Sequence, residues 1–549
     1  MPGRVRTVSV AGGYRLRLVV LDFDGTITRP GALDFKVIRK QIGCPEGMPV
    51  LEFIAGLTDA RQRQTARAAL DRFEADGAAA SRPNDKAEEL VHWLKARGLK
   101  VAVLTRNSRE AVLRALDNFT GLTCADFDLV LTRDDPVAPK PAGDGVRHAA
   151  ERFNVAPHEV LVVGDFYLDM AAGQAAGALT VLLDSQDDPR LKDVACDYRI
   201  RHLDELWPIV SDGLPLPPGK LPNHMLGEYL ADIRCADPSV LIQPGVGEDI
   251  AAVEMPADEV LILKSDPITF ANDAIGRYAV LVNANDIATA GAQPRWLLTT
   301  LLWPVGTTPS RVRSTMQALG ATCRELGITL CGGHTEISDA VQRLVVVGMM
   351  AGTVRRADLI DKQRMQPGDW VLLTKGVAVE GTAIMAREFG PYLAQAGIAA
   401  ADIAAGRDLL DQIGILAEAR IAAQGGLATA MHDVTEGGLA TALEELSIAG
   451  GHGIRVDMDR IPVLDLTRRF CAALGLDPLG VIGSGSLLIA CRAADGPRLL
   501  ARLRAEKVAV EHIGEVLAAP PGITACRMEE PVRWPRFETD EIARLFTTI

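Results

Sequence analysis

Residues 16–26 read LRLVVLDFDGT: an apolar, β-branched run that stops on Asp22, with a second carboxylate two positions on at Asp24, then Gly25 and Thr26. An unbroken apolar run of this length predicts a strand buried on both faces, and hence a parallel sheet covered by helices. Side chains alternate along an extended chain, so the two carboxylates begin on one side of it, at the strand end where open parallel sheets bind ligands. Paired carboxylates suit phosphoryl chemistry: one attacks phosphorus, and the other protonates the leaving oxygen and then activates water. A lone DxD equally describes a surface turn, so its companions decide.

Outward from this stretch, KVAVLTRN (100–107), FDLVLT (127–132), EVLVVGD (159–165) and LTVLLD (179–184) repeat the strand pattern, separated by helical stretches such as KAEELVHWLKARG (86–98). This alternation predicts a parallel α/β sheet. KVAVLTRN ends in Thr105, with a hydroxyl for a phosphate oxygen, and Asn107. VAPKPAGD (137–144) holds Lys140 between two prolines, a cation for the phosphate and the attacking carboxylate. EVLVVGDFYLDM (159–170) adds Asp165 at a strand end and Asp169 four residues later, hard oxygen donors suited to orienting Mg²⁺. Residues 30–80, rich in Ala, Arg and Asp at helical spacing, predict a small helical cap between the first two strands.

In this order the motifs resemble those of the haloacid dehalogenase-like hydrolases over residues 16–205, and the cap is similar to that of phosphoglycolate phosphatase-like members. The resemblance implies an α/β Rossmann-like domain over 1–205 and an active phosphatase. Asp22 is then the nucleophile, Asp24 the general acid/base, and Thr105, Asn107 and Lys140 hold the phosphate. Asp165 and Asp169 position Mg²⁺, which Asp22 and the Asp24 main-chain carbonyl also touch. The implied substrate is a small phosphorylated metabolite, chosen by cap side chains such as Lys36, Arg39 and Lys40.

Composition agrees with a multi-domain globular chain: 549 residues, 48% hydrophobic and 23% charged, with a net charge of −13. That balance repels phosphate backbones and anionic lipid, so neither nucleic acid nor membrane is an expected partner. Nine scattered cysteines without a CxxC pair fit a reducing cytoplasm, and no apolar run is long enough to span a bilayer.

ELWPIVSDGLPLPPGKLP (205–222) concentrates Pro and Gly and is read as an interdomain linker over 206–222. Beyond it, strands such as EVLILKSD, RLVVVGMMAG, WVLLTKG and SGSLLIAC mix with helices, an α+β pattern. Polar and glycine clusters recur: PGVGEDIAAV with Glu248 and Asp249, KSDPITF with Lys264 and Asp266, NANDIATAGAQP with Asn283, Asn285 and Asp286, CGGHTE with Gly332 and Gly333, and MHDVTEGGLA with Asp433, Gly437 and Gly438. Carboxylates beside glycine turns that open helices suit Mg²⁺ and a polyphosphate.

These strings resemble the PurM-like (AIR synthase-related) superfamily, and the HypE type within it, over residues 220–530. The resemblance implies an N-terminal lobe (223–360) that binds ATP and forms a homodimer, a C-terminal lobe (361–535) and a tail (536–549). It also implies ATP and Mg²⁺ held by Asp249, Lys264, Asp266, Asn285, Asp286, Gly332, Gly333, Asp433, Gly437 and Gly438. HypE-type proteins end in a reactive cysteine, whereas this sequence ends ARLFTTI with its last cysteine at Cys526, which argues against thiocyanate formation. The expected protein is a bifunctional enzyme. The alternative is a maturation or assembly protein with its own partner, in which ATP is a conformational signal and the phosphatase half is accessory.

Overall fold

The run after Arg17 forms strand β1 (Leu18–Leu21) in a computed structural model of the chain, which describes residues 13–31, 35–46, 48–216, 219–233, 237–242, 252–269 and 274–548. Five more strands join it: β2 (Lys100–Leu104), β3 (Leu129–Leu131), β4 (Val160–Gly164), β5 (Leu179–Leu183) and β6 (Tyr198–Ile200). All pairings are parallel, in the order β3-β2-β1-β4-β5-β6. The intervening helices are α1 (Phe35–Ile42), α2 (Val50–Gly56), α3 (Ala60–Ala80), α4 (Ala87–Ala96), α5 (Arg109–Leu116), α6 (Asp144–Arg152), α7 (Tyr167–Ala176) and α8 (Leu206–Asp212).

The alternation within β1 feeds two cores. Val19 and Leu21 pack with Val101, Val103, Leu161 and Val163 under α4 and α5, whereas Leu18 and Val20 pack with Ala102, Leu104, Val160 and Val162 under α6 and α7. Burial on both faces is why the strand sequence carries no polar positions. The chain fills the sheet on one side of β1 through β2 and β3 and returns on the other with β4 to β6. The topological switch point therefore lies between β1 and β4, and their carboxyl ends open a crevice.

Helices α1 to α3 occupy the stretch read as a cap and share a core of their own, Ile38, Val50, Ile54, Ala66 and Leu70. Helix α3 starts at Asp59, whose side chain accepts the Gln62 N–H and satisfies one of the free donors of the first turn.

The chain divides into two compact units, residues up to 216 with Gly306–Ser314, and 217–305 with 315–549. The second holds two larger sheets. One runs β10-β13-β11-β12-β7, built from β7 (Gly219–Lys220), β10 (Glu259–Ile268), β11 (Gln293–Pro304), β12 (Thr329–Ser338) and β13 (Val345–Arg355); β8 (Val240–Ile242) and β9 (Ala252–Val253) pair separately. The other runs β15-β17-β14-β18-β16-β19-β20, with β14 (Trp370–Thr374), β15 (Ala428–Asp433), β16 (Gly453–Asp457), β17 (Leu487–Cys491), β18 (Val510–Leu517), β19 (Gly522–Arg527) and β20 (Glu530–Val532).

The structure differs from the sequence reading in the stretch read as a linker and in the stretch read as a tail. Residues 206–212 are helix α8, and its Leu206, Ile209 and Val210 lie in the first unit's core, so apolar periodicity outweighs the nearby prolines. At the other end, Ile542 (0% exposed) and Leu545 (5%) lie in a core with Phe389 and Leu393, so the stretch read as a tail is packed.

Candidate functional site

At the crevice, β1 delivers Asp22, β2 delivers Thr105 and β4 delivers Asp165. The chain after Asp22 turns tightly through Phe23–Ile27, with Gly25 at φ 76°. A Cβ at Gly25 would come within 1.9 Å of Asp165 Oδ2, so only glycine lets this turn lie against the acidic group.

Lys140 Nζ lies 2.5 Å from Asp22 Oδ1 and 2.5 Å from Asp169 Oδ1. Asp22, Asp165 and Asp169 each bring a carboxylate oxygen within 4.8 Å of the others. The Asp24 carboxylate stands beside this group, and its Oδ2 accepts from Asn107 Nδ2 at 2.6 Å. Thr105, 5% exposed, accepts the Asn107 N–H at 3.2 Å. Six side chains far apart in sequence thus gather in one place: Asp22, Asp24, Thr105, Asn107, Lys140 and Asp169, with Asp165 beside them.

Charge sets the behaviour of the group. Burial first, then the Asp22 charge, pushes Asp24 up to about 7. Burial and Asp22 push Asp169 up to about 6 against the pull of Lys140, and burial with Asp22 and Asp169 raises Asp165 well above the carboxylate range. Burial alone would lower the Lys140 ammonium, but Asp169 and Asp22 outweigh it and hold it protonated. Four carboxylates face one ammonium, so the cluster is short of positive charge. Three oxygen donors within reach of one another fit a hard divalent cation such as Mg²⁺.

In the second unit, Lys264 Nζ lies 3.3 Å from Asp286 Oδ2 and 3.9 Å from Asp266 Oδ1. Burial, then Asp433, pushes Asp286 up to about 7, offset by Lys264. Asp433 is 3% exposed, its pKa raised by burial, and its Oδ2 is buried without a hydrogen-bond partner. Lys264, Asp266, Asp286 and Asp433 are therefore brought together from β10, the helix Ile275–Thr289 and β15.

The remaining predicted residues stand elsewhere. Asn285 is fully buried in the helix, donating to the Ile413 carbonyl at 2.8 Å and accepting the Ile415 N–H at 2.9 Å, so its amide is consumed in joining segments of the unit. Gly332 and Gly333 lie inside β12 rather than in a turn that opens a helix. A Cβ on Gly333 would stand 2.0 Å from the Thr299 carbonyl oxygen of β11, so close strand approach accounts for this glycine. Gly437 and Gly438 do open a helix, Gly438–Gly450, but the Gly437 N–H already donates to Asp540 Oδ2 at 2.7 Å. Asp249, with Glu248, lies outside the described residues.

Sequence reasoning missed Asp540 and Glu380, which stand in no motif, and the ion pairs from the helical insertion to the sheet domain. Arg106 meets Glu52 of α2 at 2.5 Å, and Arg133 meets Asp71 and Glu74 of α3. A cavity of about 790 Å³ is lined by Glu52, Arg63, Arg67, Arg133 and Pro139 among others, and Lys36, Arg39 and Lys40 are not in its lining. Arg-to-acid pairs between distant segments leave no local pattern to read.

Glu380 carries a pH prediction. Burial first, with Asp540 and Asp433, pushes its carboxyl up to about 7. A carboxyl held above its unfolded value stabilises the fold fully at low pH and loses that contribution as pH rises from about 4.5 towards 7. Glu380→Gln should therefore show a smaller fall in melting temperature than the native chain between about pH 5 and pH 7.5; equal falls would contradict this burial account.

Residues 16–177 match the haloacid dehalogenase-like hydrolase family, and residues 247–354 and 366–525 match the N- and C-terminal domains of AIR synthase related proteins. A carbamoyl dehydratase HypE of Cupriavidus necator is 32% identical over 49% of this chain and 77% of its own. An uncharacterized hydrolase of Saccharomyces cerevisiae is 30% identical over 31% of this chain and 79% of its own. A solved structure of the hydrogenase maturation protein HypE in complex with ATP aligns with a TM-score of 0.49 and 22% identity, covering 59% of this chain and 96% of that one. The chain belongs to the haloacid dehalogenase-like hydrolases in its first part and to the AIR synthase related proteins, HypE among them, in its second.

Proposed function

We propose that the first unit is a Mg²⁺-dependent phosphatase of small phosphomonoesters that works through an aspartyl phosphate at Asp22. The observation that carries this is Lys140 held 2.5 Å from both Asp22 and Asp169, beside Asp165 and with Asp24 poised near neutral. Asp22 Oδ attacks phosphorus while the ester P–O bond breaks, and protonated Asp24 gives its proton to the departing oxygen. Asp24, now ionised, takes a proton from the water that attacks the acyl phosphate, which frees phosphate and restores Asp22. Lys140 balances the attacking carboxylate and the phosphoryl oxygens, and Thr105 and Asn107 lie at the same strand end to orient them. Mg²⁺ held by Asp22, Asp165 and Asp169 supplies further neutralisation of the phosphoryl charge. Turnover of p-nitrophenyl phosphate tests the reading: release should require Mg²⁺, and turnover indifferent to chelation would overturn it.

For the second unit we infer Mg·ATP binding at Lys264, Asp266, Asp286 and Asp433 in a synthetase- or kinase-like reaction. The buried Asp433 Oδ2 without a hydrogen-bond partner supports it, and calorimetry showing no Mg·ATP binding would refute it. The partner of this unit is a second copy of the chain. One face of the five-stranded sheet is packed by the helix Ile275–Thr289, with Ile287 over Gly352. The other leaves Leu261 39%, Leu263 57% and Met349 42% exposed, on edge strand β10 and its neighbour β13. Apolar side chains on a sheet face of this kind call for burial. Leu263→Glu should halve the mass measured by light scattering. A monomeric native chain, or a variant that stays dimeric, would contradict the assignment. Among the described residues no helix is long and apolar enough to cross a membrane.

A further inference from the structure

We propose that Arg106 is a positioning residue that ties the seating of helix α2 to the placement of Lys140, an inference that rests on the phosphatase reading above. Arg106 stands between Thr105 and Asn107 at the end of β2. Its Nη1 donates to the Lys140 main-chain carbonyl, and its Nη2 donates to Glu52 Oε2 on α2 at 2.5 Å. One planar guanidinium thus holds two acceptors at once, one on the helical insertion and one on the residue whose ammonium bridges Asp22 and Asp169. The Arg106 side chain is 17% exposed, so the fork is well fixed, whereas Glu52 at 42% sits at the edge where α2 meets solvent.

Helices α1 and α2 share an apolar core with Ala66 and Leu70 of α3 that is separate from the cores of the sheet, whereas Ala78 at the far end of α3 joins the sheet core. The contact that runs from α2 to the Lys140 segment is the polar one through Glu52 and Arg106. The cavity bounded by Glu52, Arg133 and Pro139 lies beside this contact, and Pro139 directly precedes Lys140. With α2 seated, Glu52 fixes the guanidinium and the guanidinium fixes the Lys140 backbone. With α2 displaced, that anchor is lost and Lys140 is free to leave its position between the two carboxylates. Misplacing a catalytic group by about 1 Å costs on the order of a hundredfold in rate, so a modest backbone anchor has a large kinetic reach.

The test is steady-state hydrolysis of p-nitrophenyl phosphate with Mg²⁺ by the full chain. Arg106→Gln should lower kcat by about 10- to 100-fold with KM within about threefold. Arg106→Lys should recover only part of the loss, because one ammonium cannot hold both acceptors in the same plane. Glu52→Gln should lower kcat by roughly fivefold and add nothing further in the Arg106→Gln background, as expected of two groups acting through one contact. Native kcat in Arg106→Gln, full recovery by Arg106→Lys, or losses that multiply in the double variant would overturn the proposal. If Arg106→Gln fails to fold, Glu52→Gln, at a half-exposed position, decides alone: unchanged kcat sinks the coupling. Should Asp22→Asn be inactive while these variants keep native kcat, the coupling alone falls; should Asp22→Asn match the native chain, the phosphatase reading falls and takes the coupling with it.

Discussion

Asp22→Asn should lower phosphomonoester hydrolysis by about four orders of magnitude or more, with the fold intact. The amide occupies nearly the same volume and still accepts from Lys140 through its oxygen, so packing changes little. It lacks the anionic oxygen that attacks phosphorus, and no neighbour can stand in. Asp24 is hydrogen-bonded to Asn107, Asp169 is tied to Lys140, and Asp165 is packed against Gly25. The measurement is Mg²⁺-dependent release of p-nitrophenol by the native and variant chains, with circular dichroism to check folding. Equal rates would remove Asp22 from the reaction and the mechanism with it.

Lys140→Met should damage both activity and stability. Lys140 is 4% exposed and is the ammonium that meets Asp22 and Asp169. Removing one member of a buried ion cluster costs about 3–5 kcal/mol, because the charges left behind have been taken out of water. At roughly 2–4 °C per kcal/mol for a domain of this size, the first unit should melt about 10 °C lower near pH 7.5. The deficit has a sign in pH. Without the ammonium, Asp169 and Asp165 rise further above their unfolded values, and groups raised in this way stabilise the fold at low pH and lose that contribution as pH rises. The melting deficit should therefore shrink towards pH 5. A deficit of the same size at both pH values, or none, would show that Lys140 does not neutralise the cluster. Activity should fall by about a thousandfold, since the phosphoryl oxygens lose their fixed cation.

The sheet of the first unit was legible because burial on both faces leaves no choice of residue in β1, β2 and β4, and the position of Asp22 and Asp165 follows from strand ends alone. Punctuation was legible only in part: the two units divide at 216/217, inside the stretch read as a linker, but its first half is helical. Pro208 and the prolines after it suggested a linker, yet Leu206, Ile209 and Val210 share a helical face that the core accepts. In the second unit the carboxylates were easier to place than the glycines and amides. Asp286 and Asp433 meet beside Lys264, but Asn285 spends its amide on main-chain groups, and Gly333 serves strand contact. A glycine in sequence reports a steric demand without saying whether a ligand or a neighbouring strand makes it. The Arg106–Glu52 contact was out of reach, because no periodicity links positions 54 residues apart.

The central claim is a covalent phosphoryl group on Asp22, and acid quenching tests it most directly. Asp24→Asn should form this intermediate from ³²P-labelled p-nitrophenyl phosphate, whose leaving group needs no proton, and should then fail to hydrolyse it for want of a base. The prediction is label approaching one phosphoryl group per chain, released by hydroxylamine and carried on the peptide that contains Asp22. A native enzyme that turns over while Asp24→Asn shows no trapped label, or label on a peptide without Asp22, would contradict the account.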